Sequence, residues 1–186
     1  MKLRPDQLKS RAEEAGLTVE QLAQAVSRTG LSGDSALSAV RNWLGGRDHP
    51  RCKKADIERL ADAIGCEVTD IARFVSSVNH HRGSPQKARL VVDMIRGKAA
   101  YQADEMLQFC HKRAAVNVRK ALLAAMADAQ EAGADRDALV VAEASVDGAQ
   151  HIKRFRPKDR GRAHSILKQT SHITVGLQER PTASRY

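Results

Sequence analysis

The stretch KRFRPKDRGR, Lys153 to Arg162, sets six basic side chains and one acid beside a single aromatic, a proline and a glycine. No folded core can absorb that charge, because each unpaired buried cation costs several kcal/mol. Lys153, Arg154, Arg156, Lys158, Arg160 and Arg162, with Lys168 further on, can neutralise phosphates, and only Asp159 opposes them. Other reactive side chains are scattered. Glu143 and Asp147 are isolated carboxylates without the partner that a general base needs. His151, His164 and His172 lack metal-ligand spacing and suit phosphate hydrogen bonding or plain exposure. His80 and His81, adjacent on an extended strand, point to opposite faces. No catalytic residue, metal or cofactor is expected, and no small-molecule substrate. Phe155, alone among cations, either meets a base or passing peptide or only braces the turn.

The charge is unevenly spread. Residues 1–80 carry 12 Lys/Arg against 11 Asp/Glu, whereas residues 81–186 carry 19 against 11, within a net charge of +9. Two modules with different electrostatics are implied, the second suited to a phosphate-rich partner. Aromatics are only 3% of the chain, so nucleic-acid contact must lean on charge rather than base stacking. Cys52, Cys66 and Cys110 are an odd number at wide spacing and read as reduced core thiols. No apolar run reaches the roughly 18 residues of a membrane span, and no secretory segment opens the chain, so a cytoplasmic protein without a membrane partner is expected.

Helix signals place these residues. LKSRAEEAG stops at Gly16, Thr18 with Gln21 opens TVEQLAQAV, Asp34 caps DSALSAVRNWL, and two pieces follow at Lys54 to Ile64 and Val68 to Phe74. Val75 to Asn79 reads as a linker or as the first extended residues of the next module. Ser84 as cap and Pro85 at the first helical position begin SPQKARLVVDMIRGK, with Leu90, Val91, Met94 and Ile95 as its inward stripe. An uninterrupted pattern from Tyr101 to Ala132 predicts one rod about 45 Å long. Its Lys112, Arg113, Arg119 and Lys120 lie off the apolar stripe, either solvated or against phosphate. ALVVAEASV and ILKQTSHITVGLQE read as strands, joined through an extended basic hairpin at about 147–170. Such a ribbon is marginal alone and needs a polyanion to fix it.

The first module resembles a phage-repressor-type helix-turn-helix domain of five short helices, over residues 1–75. The resemblance implies possible nucleic-acid or protein contact through Ser35, Ser38, Arg41 and Asn42, with Ala36, Leu37, Val40 and Trp43 largely in the core. Its near-neutrality argues against strong phosphate attraction. Residues 76–186 form the second expected domain. There SPQKARLVVDMIRGK, KRAAVNVRKALLAAMADAQ and IKRFRPKDRGRAHSILKQTSHITV resemble the large-subunit ribosomal protein of the L-twenty-two family. That resemblance implies an α+β fold: a three-stranded antiparallel sheet, two main helices and the long hairpin. It implies large-subunit rRNA as partner, with neighbouring ribosomal proteins and the nascent polypeptide in the exit tunnel. Expected rRNA contacts are Arg82, Ser84, Gln86, Lys87, Arg89, Arg96 and Lys98 on and around the first helix. Lys112, Arg113, Arg119 and Lys120 on the next are added, then the hairpin cations, His164, Lys168, Thr170, Ser171 and His172. Ile152, Lys153, Arg154 and Phe155 would line the tunnel. Ser165 and Gln169 stand where the family commonly carries basic residues. The rival function is a DNA-binding regulator whose basic tail is a non-specific clamp.

Overall fold

A two-residue strand, β1 (Lys2–Leu3), precedes helix α1 (Pro5–Glu14), which begins on a proline. Thr18 caps α2 (Val19–Val26) as its sequence predicts: the Gln21 N–H donates to the Thr18 hydroxyl at 3.4 Å, and the Thr18 N–H to the Gln21 side-chain oxygen at 2.9 Å. The expected cap of α3 (Asp34–Leu44) moves back one residue. Gly33, at φ 53°, takes the cap position, and Asp34 becomes the first helical residue, where its charge meets the positive helix end. Helix α4 (Lys54–Ile64) stops on the left-handed Gly65. Helix α5 is a single turn, Val68–Ile71, not the expected span to Phe74, because β2 (Ala72–His81) starts immediately after it. Antiparallel pairing of Ala72 and Arg73 with Leu3 and Lys2 takes the place of a second helical turn.

The computed structural model describes residues 1–28 and 30–180, so the tail of the expected second domain, residues 181–186, lies outside the described residues. Packing divides the chain into Met1–Phe74 and a second unit beginning at Val75. In the first, Leu8, Leu22, Val26, Val40, Trp43, Ile57, Leu60 and Ile71 share one apolar cluster. The α2–α3 connection, residues 27–33, is about twice the three- or four-residue turn of a helix-turn-helix. Of the three cysteines, only Cys52 is buried, and burial, reinforced by Asp56, pushes its thiol up to about 12; Cys66 and Cys110 are half-buried.

The second unit carries α6 (Pro85–Ile95), α7 (Ala100–Gln108), α8 (Arg113–Glu131), β3 (Leu139–Pro157) and β4 (Ala163–Glu179). The sheet order is β1-β2-β4-β3, four strands where three were expected; the added β1 is too short to show alternation in sequence. Two helical expectations also change. The predicted 45 Å rod is two helices, α7 and α8, because the chain turns through Phe109–Lys112 without glycine or proline. Turning back lets Ala103 and Leu107 become buried within this unit, where a straight rod would carry them past its core into water. On α6 the buried stripe is Ala88, Val91, Val92 and Ile95, so Leu90 and Met94, expected inside, are exposed. Spacings of three and four from Ala88 set that phase.

β3 and β4 pair antiparallel from Leu139↔Glu179 out to Pro157↔Ala163. Ile173, Val175 and Leu177 are fully buried, as their alternation predicts. Beyond Asp147↔His172 nearly every residue is exposed or half-exposed, and at about 3.3 Å per residue the arm from Asp147 to Pro157 extends roughly 35 Å. The register shifts between Ala149 and Ile152, where Gln150 and His151 oppose Gln169 alone. The Thr170 hydroxyl donates to the Gln150 carbonyl there at 2.6 Å, satisfying an acceptor that the ladder has lost.

Candidate nucleic-acid interface

Two helix N-termini meet at one cavity. A hollow of about 580 Å³ is lined by residues 81–84 and Lys87 at the start of α6, and by Lys112, Arg113 and Ala114 at the start of α8, with Ala88 and Leu90 as apolar wall. Helix N-termini attract acidic side chains into their first turn, yet neither α6 nor α8 has one, and neither cap residue closes a side-chain bond. Arg82, Lys87, Lys112 and Arg113 stand around the hollow, all exposed. Two helix ends without acidic first turns or side-chain caps, together with four exposed cations, suit this hollow to an external anion. A second hollow of about 450 Å³ is lined by Arg82, Gly83, Ser84, Arg113, Lys168 and Gln169, so the cationic surface runs on to the root of the hairpin.

Behind this surface His81 is buried and its ring Nδ1 meets the Asn117 side-chain amide. Burial, then Arg113, lowers its pKa, so the ring adds no positive charge. A side chain on Gly83 would drive a Cβ into that ring, which is why the wall can approach so closely only as glycine.

The expected contact residues separate into two groups. Gln86, Lys98, Lys112, Arg113 and Lys120 are exposed, with Arg82 and Lys87 beside them. Arg89 and Arg96 are tethered instead to the sheet, donating to the Val146 carbonyl at 3.3 Å and the Ala144 carbonyl at 2.8 Å; Arg96 also pairs with Asp93 at 3.0 Å. They position α6. Arg119 grips Asp104 with two bonds, 2.7 and 3.2 Å, pinning α7 to α8. Thr170 and Ser171 are buried, and His172 contacts Asn79 and packs edge-on against His80 at 4.7 Å. Asp104, Gly83 and Asn117 escaped sequence reasoning. Asp104 and Asn117 meet partners 15 and 36 residues away, and the tight approach of Gly83 to His81 depends on how that ring is buried, so no local spacing announces them.

Arg119→Ala is expected to lower stability only slightly, as befits a solvent-screened bidentate pair, while RNA affinity stays unchanged. Denaturant unfolding and RNA titration of the full chain check this; an affinity loss equal to that of Lys120→Ala would assign Arg119 to phosphate instead.

On the hairpin, paired residues share a face. Arg154, Arg156, His164 and Lys168 line one side with Ile152 and Ile166; Phe155, Pro157, Ala163, Ser165 and Leu167 line the other with Lys153. All the hairpin cations are exposed, and Phe155 is 76% exposed. The expected lumen residues therefore split, Ile152 and Arg154 on one face, Lys153 and Phe155 on the other. The tip is a tight turn in which the Lys158 N–H donates to the Arg162 carbonyl at 2.8 Å, with Arg160 and Gly161 both left-handed, at φ 52° and 70°. Among the described residues no group of three or more metal-ligating side chains assembles.

The family profile "Ribosomal protein L22p/L17e" matches residues 76–178, more than half of the chain. The large ribosomal subunit protein uL22 of Magnetococcus marinus is 48% identical over 103 residues, which cover 55% of this chain and 91% of that protein. The profile match coincides with the unit that carries the two helix N-termini and the ribbon. The chain belongs to the ribosomal protein L22p/L17e family, whose members are structural and not enzymes.

Proposed function

We propose that the chain is a structural constituent of the large ribosomal subunit that binds and organises large-subunit rRNA, in the cytoplasm and beside neighbouring ribosomal proteins. The observation that carries this is the hollow where the acid-free N-termini of α6 and α8 converge among Arg82, Lys87, Lys112 and Arg113. Fixed backbone N–H groups recognise phosphate geometry, and the surrounding cations release condensed counterions on binding. RNA shape and backbone, rather than base edges in a deep groove, are what such a surface reads. The hairpin extends the same surface: its Arg154, Arg156, His164 and Lys168 face meets rRNA, and its Phe155 and Leu167 face turns towards the nascent polypeptide in the exit tunnel. The protein acts as a strut, holding together RNA segments remote in sequence.

Sedimentation of a lysate tests this. The chain is expected in the large-subunit peak at moderate salt and to leave it as salt rises; recovery at the top of the gradient, or with the nucleoid, overturns the reading in favour of the DNA-binding regulator. That alternative is weakened by two of its four reading residues. The Ser35 hydroxyl donates to the Ser32 carbonyl at 2.7 Å, and the Asn42 amide to the His49 carbonyl at 2.8 Å, so both are occupied within the fold.

A further inference from the structure

The first unit lies outside the family match, and its near-neutral total hides a local separation of charge. Arg41, Arg47, Arg51 and Lys53 fall within thirteen residues, all exposed, at the end of α3 and along the loop to α4. Two acids fall among or just after them, and only one has its charge matched by a partner away from the cluster, so the cations remain in excess. Asp48 accepts the Cys52 N–H at 2.8 Å, and Asp56 is fully buried, paired with Arg28 at 3.1 Å and accepting the Lys53 N–H at 3.0 Å.

The loop itself, residues 45–53, has no helix or strand but is tied down along its length. The Arg47 N–H donates to the Asn42 carbonyl at 2.8 Å, the Asn42 amide to the His49 carbonyl, and the Trp43 indole N–H to the Pro50 carbonyl at 2.7 Å. A groove of about 220 Å³ beside it is lined by Lys2, Arg47 and Asp48, so the edge carries one further cation and one acid there. A preorganised backbone spares these cations the cost of ordering the loop when they engage a charged partner.

We propose that Arg41, Arg47, Arg51 and Lys53 form a second RNA-backbone site, through which the first unit clamps a phosphodiester strand of the same rRNA that the second unit binds. This rests on the ribosomal function proposed above. Base readout is not the mode, since Trp43 is buried and Ser35 and Asn42 are occupied. RNA is the partner because covalent linkage to an rRNA-binding unit holds this edge at an effective concentration on the order of millimolar against that polyanion. Weak phosphate contacts then suffice.

Ultraviolet cross-linking of washed large subunits, followed by peptide mass spectrometry, tests the site in the full chain. RNA adducts are expected on residues 41–53. They should fall at least tenfold in the Arg41→Glu/Arg47→Glu/Arg51→Glu variant, with hairpin adducts and subunit occupancy unchanged. The Arg→Gln triple should show the same loss in smaller degree and guards against misfolding of the first. Absence of RNA adducts in the natural chain, or Lys53 cross-linked to an acidic protein neighbour with RNA adducts unaffected, overturns the proposal. Absence of the chain from subunits would overturn the ribosomal function instead. The edge is then judged by titrating the purified full chain with duplex RNA: the variant's plot of log affinity against log salt should be shallower by about two to three units, and an unchanged slope rejects the site.

Discussion

Reversing the charge of Lys153, Arg154 and Arg156 to glutamate is expected to lower affinity for large-subunit rRNA by about a hundredfold or more at physiological salt. Each phosphate contact contributes about 0.7 to 0.9 to the salt slope, so loss of the Arg154 and Arg156 contacts should lower it by about 1.4 to 1.8 units, Lys153 standing on the opposite face. In cells the variant should be depleted from the large-subunit peak, whereas Arg41→Ala should enter normally. The reason is structural. These cations are exposed on an arm whose outer half, among the described residues, is two-stranded, and such a ribbon is marginal in water. RNA phosphates supply both its counter-charge and its cover. Unaltered affinity and slope in the triple variant would show that the arm is not an RNA-binding element.

The second large effect lies in the first unit. Arg28→Ala should destabilise it by about 3 kcal/mol, because the fully buried Asp56 would lose the guanidinium that pairs with it. Removing both charges together with apolar residues of similar size should restore much of the loss. Denaturant unfolding of the full chain, followed by the indole fluorescence of Trp43 in the same core, reports it. A change below about 1 kcal/mol would mean that water reaches the carboxylate and that the pair is no more than a surface contact.

These two sites differ in how far the sequence reveals them. The basic run from Lys153 to Arg162 needs no structure to be recognised as phosphate-facing, since nothing in a core could accept it. The Ser84-Pro85 start of α6 and the Thr18–Gln21 box of α2 are equally local, and both stand where their residues predict. Asp56 is different. Written beside Lys53 and Glu58 it looks like one more surface acid, and only the approach of Arg28 from another part of the chain makes it buried. The same holds for Asp104 and Arg119, which face each other across a turn that has neither glycine nor proline to signal it. Apolar spacing ran unbroken through that turn, so periodicity predicted one helix where packing required two. The anion site was half legible: its cations could be named one by one, but the meeting of two helix ends could not.

The extra residue at Gln150–His151 has a consequence for how this arm can vary. Counted along a regular ladder, Arg154 and Arg156 would stand with Leu167 and Ser165; the added backbone unit turns them over to join Lys168 and His164. Side chains there can be exchanged freely so long as the number of residues is kept. Loss of a single codon there would turn the outer β3 side chains over against those of β4 and mix cations with apolar residues on both sides of the arm, a change that an inventory differing by one amino acid would not announce.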